Sequence, residues 1–193
     1  MRTFNLAILT LGTAGLVSPV HAAVEPFAAF ATGFAHPLGG IDHILVMVTV
    51  GVWGVLAGGR ALWLWPAAFV STMLIGFAAA TLGLQVPWVP AAVSSSIIVL
   101  GLMVALAVRA PVWLGAALVG LFAFFHGHAH GTEAVAANLV AYGAGFALAT
   151  AGLHAAGIGL ALAAEDSVGK LAVQPGIVIQ RNPQVLRVLL DAV

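Results

Sequence analysis

Five apolar runs, each near the ~20 residues that an α-helix needs to cross a bilayer, take up most of this sequence. They lie near residues 34–57, 62–83, 88–108, 112–131 and 135–163. Only short polar breaks separate them: GGRA at 58–61, LQVP at 84–87, RAP at 109–111 and GTEA at 131–134. Backbone groups in lipid must be hydrogen-bonded within the protein, so runs of this length are helices. Breaks this short make consecutive helices antiparallel neighbours. The expected fold is therefore all-α, a polytopic transmembrane helix bundle of five to six spans after a cleavable signal peptide.

Composition agrees and excludes several functions. The chain of 193 residues is 62% hydrophobic and 6% charged, against roughly 25% charged residues in a soluble domain. Six basic residues balance six acidic ones, so nucleic acid is not an expected partner. Without cysteine there is no disulfide, thiolate metal site or cysteine nucleophile. No GxxxxGK[ST] loop occurs, since the Gly169 and Lys170 pair is followed by Leu171. This chain does not hydrolyse ATP, and no ATPase subunit is evident as a partner.

The opening MRTFNLAILTLGTAGLVSPVHA, residues 1–22, has one arginine, an apolar stretch of secretory length and small residues before a cut after Ala22. A retained first helix is the alternative. Residues 23–164 form the helix bundle, and residues 165–193 are a C-terminal tail or a degenerate sixth span broken by Pro175, Arg181, Asn182 and Pro183. If residues 23–33 lie outside, Arg60, Arg109 and Lys170 all fall inside, as the positive-inside rule requires. The expected location is the bacterial inner membrane, with the polar motifs described next on the periplasmic side.

Two clusters hold most of the intramembrane polar groups: HPLGGIDH at 36–43 opens the first run, and HGHAHGTE at 126–133 closes the fourth. The topology places both at the outer end. Counting ~20 residues outward from Arg60 puts Asp42 and His43 just inside the hydrocarbon edge, where a charge needs a partner. His126, His130 and Glu133 share one helix face; His128 points nearly opposite unless Gly127 and Gly131 loosen the helix. Two imidazoles one turn apart hold one metal ion, and a carboxylate adds a ligand. Pro37 marks a helix start, and the Gly39 and Gly40 pair permits irregular backbone. Met47, one turn from His43, reads first as packing; His154 is a packing residue or a ligand. Asn138 and Tyr142 line the same vestibule or bond between helices. Small residues four apart (Gly54 and Gly58, Gly76 and Ala80, Ala116 and Gly120, Ala141 and Gly145, Gly157 and Ala161) allow close helix packing.

Read together, HPLGGIDHILVM with GRALW close behind, LGLMVALAVRAP, VGLFAFFHGHAHGTE and GFALATAGLHAAG resemble the HupE/UreJ family of membrane proteins. The resemblance implies transport of nickel, in some members cobalt, to supply hydrogenase or urease. It implies metal positions at His36, Asp42, His43, His126, His128, His130 and Glu133. There are departures. Members tend to begin the mature chain with a histidine, whereas His21 precedes the expected cut and residues 23–35 contain none. Pro90 stands where members often carry a glutamate, and residues 165–193 lack the apolar, glycine-rich character of the family's last helix.

The residues alone point to a permease for a divalent transition metal, because imidazole and carboxylate suit Ni²⁺, Co²⁺ and Zn²⁺ alike. The partners are then the ion and the lipid bilayer, with no prosthetic group. The competing class is a membrane-embedded zinc-dependent hydrolase built on His126, His130 and Asp42; against it, no serine adjoins either cluster in sequence.

Overall fold

The computed structural model describes residues 19–134 and 138–172, and the regular structure within them is all helical. The elements are α1 (Pro19–Ala35), a short 3-10 turn (His36–Leu38), α2 (Ile41–Ala57), α3 (Ala61–Thr81), α4 (Val89–Ala105), α5 (Val112–Glu133) and α6 (Leu139–Ala172). The expected signal peptide lies outside the described residues up to position 18, as does the tail beyond 172. Among the described residues, α3, α5 and α6 are long and apolar enough to cross a membrane, and a fourth crossing is added if α1 and α2 are one bent span.

The structure departs from five uniform runs in three places. The run 34–57 is not one helix: residues 25–38 and 41–57 meet at 81°. Pro37 has no N–H to continue α1, and Gly40 adopts extended backbone (φ −116°, ψ 121°) before α2 starts. Residues 23–33, read from sequence only as an outer lead-in, belong to α1. The run 88–108 yields only the 17 residues of α4, or ~25 Å. Trp88 (φ 66°) and Ala107 (φ 46°), both left-handed, delimit it. The last helix instead overshoots, since α6 continues past residue 163 to Ala172.

Helices approach backbone to backbone where glycine removes the side chain, the packing mode expected in lipid. A methyl at Gly127 of α5 would run into the Met73 carbonyl of α3, and one at Gly76 of α3 into the Phe124 carbonyl of α5. Gly33 of α1 sits in the same way on Tyr142 of α6, and Gly51 of α2 on the His154 carbonyl. Of the small residues spaced by four, Gly76, Gly145 and Gly157 fall at such contacts.

The buried interior runs along the axis through Met47, Val50, Phe69, Met73, Leu100, Val119 and Phe146. At one end Trp53 and Trp65 pack with ring centroids 4.2 Å apart. Their indole N–H groups donate to the carbonyls of Val108 and Val112, each at 2.9 Å. Arg60 and Arg109 are exposed in the turns at this end. Exposed Ile75, Ile98, Leu121, Leu148 and Leu160 form the outer surface. Exposed Trp63 and Trp113 ring the arginine end and Trp88 the other, as in the aromatic belts of membrane proteins. The chain is a multi-pass membrane protein.

Candidate metal site

The break before α2 and the end of α5 meet at the pole opposite the tryptophan pair. Gly40 starts α2 so that Asp42 and His43 occupy its first turn. α5 stays helical through Glu133, so His126, His130 and Glu133 rise along one face. His43 lies 4.3 Å from His130 and 5.5 Å from His126 between ring centroids. His36, on the 3-10 turn, stands 4.7 Å from His130, and its Nε2 is 3.3 Å from Glu133 Oε2. Asp42 Oδ2 is 3.8 Å from His43 Nε2.

Burial is graded along this group. The Glu133 and Asp42 side chains are 60% and 41% exposed, His36 and His43 31% and 15%. His126 and His130 are fully buried. Carboxylates therefore stand at the mouth and imidazoles beneath them, an order that attracts a hydrated cation before offering it nitrogen.

The protonation pattern suits a metal. His126 Nδ1 is 3.0 Å from the Phe122 carbonyl; a carbonyl only accepts, so Nδ1 carries the proton and Nε2 a lone pair. That Nε2, His43 Nδ1 and both nitrogens of His130 are buried without a hydrogen-bond partner. An unsatisfied buried polar atom costs ~1–3 kcal/mol, and a divalent ion would satisfy several at once. Donor atoms of His36, His130 and Glu133 lie within 4.8 Å of one another. Ligands ~2.1 Å from one ion stand about 3–4.2 Å apart, so small rotations close the set.

Of the seven residues singled out, the structure brings six together and turns His128 away. Gly127 and Gly131 do not loosen α5, because both are taken up against the Met73 and Phe77 backbones of α3. His128 Nε2 instead donates to the Leu84 carbonyl at 2.7 Å. Tyr142 lines the group, 5.9 Å from His36, whereas the Asn138 carbonyl oxygen accepts from the Ala141 N–H and caps its own helix. His154 lies deeper, its Nδ1 2.7 Å from the Met47 carbonyl. Phe146, 4.3 Å from His130, and Phe69, 5.8 Å from His126, complete the walls. Sequence reading missed both, since nothing local separates a phenylalanine facing the axis from one facing lipid.

The family profile described as HupE / UreJ protein matches residues 8–182. The chain belongs to the HupE/UreJ family. A relative, Protein HupE of Rhizobium leguminosarum bv. viciae, is 44% identical over 154 residues, covering 79% of this chain and 81% of its own. No solved structure matches the chain. Both histidine motifs of this HupE/UreJ chain, and the helices that carry them, fall within the matched residues.

Proposed function

We propose that this protein is a secondary permease that takes up a divalent transition metal, Ni²⁺ or alternatively Co²⁺, from the periplasmic side of the inner membrane for delivery to hydrogenase or urease. Membership of the HupE/UreJ family supports metal transport. The observation that carries the reading is the graded cluster: Glu133 and Asp42 at the mouth, His36 and His43 beneath, and buried His126 and His130 with unpartnered nitrogens.

Such a cluster removes hydration water in steps. Ion attraction begins at the two carboxylates, and imidazole nitrogens replace the lost waters as the ion sinks. Imidazole favours Ni²⁺, Co²⁺ and Zn²⁺ over Mg²⁺ and Ca²⁺, which prefer oxygen. Inward movement needs no ATP, because a divalent ion crossing 100 mV gains about 4.6 kcal/mol, equivalent to a gradient of more than about a thousandfold.

The test is uptake of radiolabelled nickel by cells expressing the protein, with H36A and H130A as controls. Uptake that depends on the wild-type chain and falls at least about tenfold in both variants is expected. Wild-type cells that accumulate no more nickel than cells without the protein would overturn the reading.

A further inference from the structure

Of the described buried histidines, His126 and His130 join the outer cluster and His128 is bonded to the Leu84 carbonyl after α3; His154 alone lies deeper in the core. On α6, Tyr142, Phe146, Thr150 and His154 recur every four residues and so share a face. Each meets the axis in turn. Tyr142 approaches His36 and Phe146 approaches His130. The Thr150 hydroxyl donates to Met73 Sδ at 3.6 Å, and the His154 ring lies 5.0 Å from Phe69. This face of α6 thus leads from the outer cluster into the core.

At its lower end the tautomer is fixed. His154 is 1% exposed. Its Nδ1 donates to the Met47 carbonyl, so Nε2 holds a lone pair, and that atom is buried without a partner. The orphaned acceptor costs ~1–3 kcal/mol; His128 Nδ1 is left the same way, and what sets His154 apart is its aromatic link to the outer cluster. Phe69 contacts both His126, at 5.8 Å, and His154, at 5.0 Å. One aromatic ring therefore links two imidazoles whose Nε2 atoms are both unpartnered. The fully buried Met47 and Met73 belong to the same stretch of core.

We propose that His154 Nε2 is a second, inner ligand for the transported ion, reached after it leaves His126 and passes the Phe69 ring. Rotation of a phenyl ring opens and closes that step without moving a helix. The thioethers of Met47 and Met73 make the surroundings soft. A Mg²⁺ or Ca²⁺ ion that slipped past the carboxylates would find no oxygen shell there. The inner ligand is thus a second point of selection. This inference rests on the permease reading, and its test separates the two.

The measurement is Co²⁺ binding by equilibrium dialysis to the full chain in detergent, paired with cobalt uptake in cells. H154N keeps an amide N–H to donate to the Met47 carbonyl and removes the imidazole Nε2, leaving only a weaker amide oxygen. The wild type is expected to bind two ions and H154N one, with unchanged thermal stability and uptake reduced at least about tenfold. H130A, with the outer cluster broken, is expected to retain one ion, which decides the matter should H154N not fold. H154N that binds two ions or transports at the wild-type rate overturns the inference, as does H130A that binds none. A wild type that binds two ions, loses one in H154N, yet takes up no metal sinks the permease reading and leaves the inner ligand standing.

Discussion

His43 of α2 and His130 of α5 hold their rings 4.3 Å apart between centroids, although 87 positions separate them in the chain. This contact joins the two motifs. His130 leaves both of its nitrogens without a hydrogen-bond partner there, and His43 leaves Nδ1. A group left this way is destabilising until something binds it.

Metal should therefore stabilise the fold through His130. At nickel concentrations about a hundred times Kd, ligand linkage adds about 2.7 kcal/mol to wild-type stability. A thermal melt in detergent with and without Ni²⁺ reads this as an upward shift in Tm, reversed by a chelator. H130A should show a smaller shift at the same concentration, that of the inner ion alone; a shift as large as that of the wild type would remove His130 from the site.

The carboxylates should affect affinity without affecting the fold. Glu133 and Asp42 are substantially exposed, and exposed ion pairs contribute at most about 1 kcal/mol to stability. E133Q and D42N are thus expected to melt near the wild-type temperature while nickel affinity, measured by calorimetry, falls about 10- to 100-fold. Unchanged affinity in both would leave the imidazoles as sole ligands.

His128 should behave in the opposite way. In H128Q the side-chain amide can still donate to Leu84, so affinity for nickel should stay within about twofold of wild type. H128A loses the bond to the Leu84 carbonyl and should cost about 1 kcal/mol of stability. A tenfold affinity loss in H128Q would return His128 to the ligand set that the family resemblance implies.

Gly127→Ala tests the α3–α5 seam. Its methyl would overlap the Met73 carbonyl, which can yield only if the helices separate. Overpacking of this kind costs about 1–3 kcal/mol, visible as a lowered Tm and lost uptake. A neutral G127A would show that the seam is looser than described.

Orientation is open to direct labelling because the chain has no cysteine of its own. A thiol-reactive, membrane-impermeant reagent applied outside should label Q85C and leave R60C untouched. Labelling of R60C would invert the topology and place the histidine cluster inside.

Much of the site was legible because it follows from helix arithmetic. The positions of Asp42 and His43 at the head of one apolar run, and of His126, His130 and Glu133 on one face at the end of another, need only 3.6 residues per turn and bilayer thickness. The orientation of His128 was legible as geometry, but what fixed it was not: Gly127 and Gly131 stiffen α5 by packing on α3 instead of loosening it. α1 was not foreseen because its partners on α6, Tyr142 and Gly145, are more than a hundred positions away. The short α4 depends on left-handed backbone at Trp88 and Ala107, residue types that give no local sign of it. Phe69 and His154 acquire meaning only from each other's position.

The glycine seam also apportions movement. Two helices in backbone contact at Gly76 and Gly127 have no side chain between them to give way, so α3 and α5 carry His126 and His130 on one closely packed frame. His36 and Asp42 stand on either side of the Gly39 and Gly40 break, outside that backbone contact. If the cluster holds an ion, a difference in radius between one ion and the next would fall on the side of the break. The frame would then act as an anvil against which the side of the break measures the ion.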